Sequence, residues 1–96
     1  MEEVAGLKVE DPGTNPFVRM FVFEETPNLP WARGHNTKES QEKLLAYTLE
    51  SLGGIVSASV EDKVVQIFLR DASKDAWPVV RSKVLNTLQS YVRHPV

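Results

Sequence analysis

The sequence predicts an α+β domain in which two helices pack on one face of a three- or four-stranded antiparallel sheet. Three observations carry this. Residues 40–52 show helical apolar spacing and end at a glycine pair, two alternating apolar segments follow around a polar turn, and a second amphipathic helix closes the chain.

In the first helix Leu45, Thr48, Leu49 and Leu52 recur at three- and four-residue spacing, and Leu44 and Tyr47 widen the stripe. Asn36 or Thr37 can accept the free N–H groups of its first turn, and Glu39 lies three residues after Asn36, the spacing of a capping box. Gly53 is expected as the left-handed residue that stops the helix, with Gly54 turning the chain into the next strand. There Val56, Ala58 and Val60 alternate with Ser57 and Ser59, and Val65, Ile67 and Leu69 alternate with Gln66 and Arg70 on the return, so each strand offers one face to a core. Glu61, Asp62 and Lys63 form the turn between them.

Ninety-six residues make one domain, with 42% hydrophobic and 25% charged side chains. The expected division is a lead-in over residues 1–16, with a possible edge strand, and a single α+β domain over 17–96. In the lead-in Val4, Leu7 and Val9 have apolar spacing, and the Asp11-Pro12-Gly13-Thr14-Asn15-Pro16 run is a dense turn signal that suits the loop of an N-terminal hairpin. FVRMFVFE, residues 17–24, is the strongest strand signal, with Val18, Met20 and Val22 on one side and Phe17, Phe21 and Phe23 on the other. Two apolar faces imply a cover on both sides. Phe21 and Phe23 are therefore expected to meet either Trp31 or the N-terminal segment from the same chain, or a protein partner or second copy.

Residues 26–36, TPNLPWARGHN, cannot continue a strand or a helix and form a long loop. Thr26, Asn28, Trp31, Arg33 and His35 make it the best partner-binding candidate, because an aromatic, a guanidinium and an imidazole together can stack on and hydrogen-bond to a peptide or ligand. The competing expectation is that Trp31 plugs the open end of the core while Arg33 and His35 point to solvent.

Ser73 or Asp75 can cap the second helix, where Ala76, Trp77 and Pro78 fill the first turn. Val80, Val84 and Leu88 form its stripe, extended by Trp77, Tyr91 and Val92. The order strand, helix, strand, strand, helix gives a ferredoxin-like split βαβ that lacks its last strand. A right-handed crossover then leaves the return strand of the hairpin beside residues 17–24.

Several chemistries are excluded by residue type. The absence of cysteine removes a disulfide framework, a thiolate nucleophile, a zinc knuckle and a self-held iron–sulfur cluster. A net charge of −2 argues against nucleic acid as the main partner. The acidic first residues, and the lack of about eighteen consecutive apolar residues, argue against a secretory signal and a membrane span, which leaves a bacterial-type cytoplasm as the default address. No catalytic set, cofactor or metal site is expected. His35 and His94 lie on opposite flanks, Asp71 and Asp75 suit capping, and Gly53-Gly54 precedes a strand rather than the helix N-terminus that cradles phosphate.

EETPN at residues 24–28 after an apolar strand, then LESLGGIVSASV, then DAW at residues 75–77 opening a helix, resembles the N-terminal domain of Nfu/NifU-type iron–sulfur scaffold proteins. The resemblance runs in order over residues 21–92. It departs where that family continues into a strand with a lysine and an aromatic, and the CxxC of the family's separate cluster domain has no counterpart. It implies a stand-alone accessory that binds proteins and carries no iron.

The function expected is thus a non-enzymatic protein-interaction module that engages a protein partner or its own copy. The alternative is a small-molecule-binding regulatory domain, or minor enzyme, with a pocket at residues 26–36.

Overall fold

A computed structural model, which describes residues 2–10, 13–29, 33–34 and 36–92, starts with a hairpin that the apolar spacing only hinted at. Strands β1 (Glu2–Val4) and β2 (Leu7–Val9) are joined by Ala5 and Gly6, both left-handed at φ 46° and 87°. Positive φ at both residues is what a two-residue loop needs to match the twist of its strands. The sheet continues with β3 (Val18–Phe23), β4 (Ile55–Glu61) and β5 (Val64–Leu69), and the helices are α1 (Lys38–Glu50) and α2 (Ala76–Gln89).

All five strands are antiparallel neighbours in the order β1-β2-β3-β5-β4. The α1 crossover carries β4 to the edge, and β5 returns beside β3 as the topology rules require. The N-terminal hairpin takes the other side of β3, so residues 2–10 belong to the domain that the sequence begins at residue 17. Leu7 and Val9 are buried with the rest of the core.

Register fixes the faces. Phe21 pairs with Val9 and Val65, and Phe23 with Leu7, so these side chains share one side with Ile67 and Leu69. Leu45 and Leu49 from α1, and Val80, Val84, Leu85 and Leu88 from α2, pack on that side. Burial of each such side chain contributes about 1.5–3 kcal/mol, and this layer holds the helices to the sheet.

The ends of α1 differ from the simplest reading. Thr37 is the cap, accepting the Ser40 N–H at 3.1 Å. The helix stops at Ser51, and the left-handed glycine is Gly54 at φ 92° rather than Gly53. A Cβ on Gly54 would stand 2.6 Å from Val80 Cγ2, so here the backbone passes against α2. Tyr47, placed on the apolar stripe by its spacing, is exposed, and Ala46 is buried instead. In α2 the Ser73 hydroxyl accepts the Ala76 N–H at 3.2 Å, whereas Asp75 makes no side-chain cap.

A bulge interrupts β4. Ile55 faces Leu69 and Ser57 faces Phe68, which leaves Val56 as the extra residue. Ile55 is buried and Val56 is exposed, so the inward position that alternation gave to Val56 belongs to Ile55.

Candidate functional site

Phe21 and Phe23 are 0% and 1% exposed. The sequence left them either covered from within the chain, by Trp31 or the N-terminal segment, or open to a partner; they face the helices and are core, so they are not a partner surface. A strand with two apolar faces must still present the second one somewhere, and that face carries Val18, Met20 and Val22.

The pairing of the strands sets out this second face as a grid. One row runs Glu3, Lys8, Val22, Val64, Glu61 across β1, β2, β3, β5 and β4. The next runs Met20, Gln66, Ser59, with the Glu10 N–H donating to the Met20 carbonyl at 3.0 Å on the β2 side. The third runs Val18, Phe68, Ser57. Both helices lie on the opposite side, and no described helix or strand covers these rows. Phe68 is 38% exposed, although β5 has a neighbouring strand on each side. The residues flanking it in the rows are half-buried, as neighbours in a sheet screen one another.

The face is apolar along its centre, with Glu3, Lys8 and Glu10 toward β1 and β2 and Glu61 at the β4 end. Among the described residues neither Lys8 nor Glu61 takes an ion pair. They are three strand spacings apart, about 14 Å, too far to reach each other within one molecule. Shallow hollows of about 260 and 320 Å³ border the face, one lined by Gly13, Thr14, Asn15, Val18 and Met20, the other by Ser59, Glu61, Asp62, Val64 and Gln66.

The outer edge of the sheet is handled differently. Strand β4 has no neighbour beyond it, and α1 supplies acceptors to its backbone. The Glu50 carboxylate accepts the Ala58 N–H at 3.1 Å, and the Glu42 carboxylate accepts the Asp62 N–H at 2.6 Å. Side chains that occupy edge donors in this way blunt strand addition. Beside them Lys38 pairs with Asp62 at 2.9 Å. The hydrogen bond and charge of Lys38 hold the Asp62 carboxyl below its ordinary range, and Asp62 holds the lysine above its own. A further hollow of about 310 Å³ lies here between Tyr47, Glu50 and Ser59.

The loop candidates fall into two groups. Thr26 and Asn28 are exposed, but Pro27 between them is buried, the Asn28 N–H donates to the Tyr91 carbonyl at 2.8 Å, and Leu29 packs on the core. The start of the loop therefore lies against the end of α2. Arg33 is exposed. Trp31 and His35 lie outside the described residues, as does His94. The hollows above are lined by other segments. Among the described residues no three His, Asp or Glu side chains gather as a metal site, and no helix is long and apolar enough to cross a membrane.

The alternation placed Gln66 outward, but the sequence reading did not name Val64 and Phe68 as surface residues. Phe68 carried a usable signal, since it falls between the inward Ile67 and Leu69. An aromatic at an outward position of a strand marks a face that does not behave as solvent-facing.

No family model, curated protein or solved structure matches the chain.

Proposed function

We propose that this protein is a non-enzymatic interaction module whose working surface is the open face of the sheet. The observation that carries the reading is the exposed Phe68 set among Val18, Met20, Val22 and Val64 on a face with no described helix over it. Apolar surface of this kind, contiguous and bordered by polar residues, marks a site of protein contact. The glutamates of α1 support the same reading, since Glu50 takes the Ala58 N–H on the β4 edge and Glu42 the Asp62 N–H in the turn after it, which makes strand addition there less favourable than contact on the face.

The similarity to Nfu/NifU-type N-terminal domains suggests a setting, that of an accessory to iron–sulfur protein assembly which holds no cluster. The similarity is one of sequence, carried by Thr26-Pro27-Asn28 after β3 and Asp75-Ala76-Trp77 at the start of α2.

Site-specific photo-cross-linking tests the surface. A photoreactive phenylalanine analogue at position 68 should yield discrete protein adducts in an extract of the native cells, and one at the exposed Val79 of α2 should not. Equal yields from both positions, or none from position 68, would count against the reading.

A further inference from the structure

We infer that Glu42 and Glu50 are a block built into the fold, which keeps the β4 edge from pairing with β4 of a second copy. The inference goes beyond the interaction-module reading and does not depend on what the sheet face binds.

The two edges of the sheet differ in what they offer. Strand β1 is three residues long, and because Val4 and Leu7 close a two-residue loop, only Glu3 turns its backbone N–H and carbonyl away from β2. Strand β4 has seven residues and no neighbour beyond it. The Ala58 N–H leaves the sheet for Glu50, so by alternation the N–H and carbonyl of Val60 point outward as well. An edge of this length is a template for another strand.

Helix α1 does not itself cover that edge. A hollow of about 310 Å³ separates the two, lined by Ala46, Tyr47, Ala58 and Val60 along with the helix glutamates, and it leaves room beside β4. What occupies the edge is a pair of carboxylates: Glu50 accepts the Ala58 N–H at 3.1 Å, and Glu42 accepts the Asp62 N–H at 2.6 Å. The match is one of pitch. Eight residues of α1 rise about 12 Å and four of β4 about 13 Å, so two carboxylates on one flank of a helix that runs opposite to the strand meet two outward donors.

Midway between these donors the Val60 N–H has no acceptor among the described residues. Any strand that pairs with more than Val60 must therefore take a donor that a glutamate already holds. Antiparallel self-pairing about a two-fold axis at Val60 sets Ala58 opposite Asp62 of the other copy, and of the three outward donors that each copy brings, two are held. The side chains themselves favour this register. Val60, which packs against the core, would lie opposite its own copy, and Glu61 would lie opposite Ser59, so no like charges meet across the strands. The carboxylates are what stands in the way.

Alanine substitution tests the block. Sedimentation equilibrium of the unaltered protein should show no pairing through β4 up to ~1 mM, whereas Glu42→Ala/Glu50→Ala should dimerise at least about tenfold more tightly, with a dissociation constant of ~100 μM or below. Glu42→Gln/Glu50→Gln removes the same two charges but leaves an amide oxygen to accept each N–H, and should stay monomeric. That comparison separates an occupied donor from simple charge repulsion. Amide hydrogen exchange gives a readout that needs no variant: in the unaltered protein Ala58 and Asp62 should exchange about tenfold more slowly than Val60, and in the alanine dimer all three should be slow.

An alanine variant that is folded by circular dichroism and stays monomeric at ~1 mM would overturn the inference. So would a dimer whose slowed amides lie away from β4, or a glutamine variant that pairs as tightly as the alanine one. Should the alanine variant not fold, exchange in the unaltered protein decides: the contrast at Val60 supports the block, and equal rates at the three amides overturn it.

Discussion

The guanidinium of Arg19 lies 4.4 Å above the ring of Trp77. Arg19 is on the helix-facing side of β3, beyond the last buried phenylalanine, and Trp77 opens α2, where its ring also meets Phe21 at 6.1 Å between centroids. The start of α2 is thereby fixed to the sheet by one aromatic contact and one cation over its face.

Arg19→Ala should therefore cost about 0.5–1 kcal/mol from the cation–π contact, and more if the Nε–H bond to the Pro16 carbonyl contributes. Arg19→Lys should keep part of this. Urea denaturation of the three proteins gives the comparison. Equal midpoints would show that the stacked geometry contributes nothing to stability.

Gly54→Ala should be among the most damaging single-methyl additions in the chain. The new Cβ meets Val80 Cγ2 at 2.6 Å and also sits on a left-handed backbone, so two independent penalties combine to at least about 2 kcal/mol. Val80→Ala in the same background should recover part of the loss. A double-mutant cycle measures the coupling, and strict additivity would mean that the steric contact is absent.

At Ala5 the sign reverses. Its φ of 46° is unfavourable for a residue with a Cβ, so Ala5→Gly should raise stability by about 0.5–1 kcal/mol. Asp62, at φ 56°, shares the strain but also holds Lys38, so Asp62→Gly should gain less than the first substitution. Thermal unfolding distinguishes the two.

The Lys38–Asp62 pair predicts a pH window. Asp62 has a lowered folded pKa, so its contribution is present above its ordinary value of 3.8 and is lost as pH falls through the lower folded value. Lys38 has a raised one, so its contribution is present below 10.5 and is lost as pH rises through the higher folded value. Between these limits the pair adds no slope to stability against pH. Asp62→Asn should remove its share of the acid limb without changing the neutral plateau's shape, which denaturation series at several pH values will show.

How much of this was legible in the residues differs from element to element. Helix spacing marked Leu45, Leu49, Val80, Val84 and Leu88 because each helix has one wet side to contrast with its dry one. Residues 17–24 had no such contrast: with both faces apolar, composition could not say which one the helices would take, so Phe21 and Phe23 stood as either internally covered or a partner surface, and it is the valine and methionine face that stays open. Pairing decided the matter, through the contact of Phe21 with Val9 and Val65. The N-terminal hairpin was obscured for another reason, since an Ala-Gly turn lacks the usual Asn or Asp signal. Lys8 and Glu61, 53 positions apart in the chain, came into one row only when the strand order was known.

The surplus residue in β4 has a bearing on how the chain can change in length. Ile55 and Ala58 both point to the helices although three positions separate them, which a two-residue period permits only with one residue out of step. Deletion of Val56 would restore regular alternation and should leave the melting transition cooperative. Deletion of Ser59, three places on, would turn Val60 away from the helices and should not. Evolutionary gain or loss of a single codon in this strand therefore has one position where the sheet can absorb it.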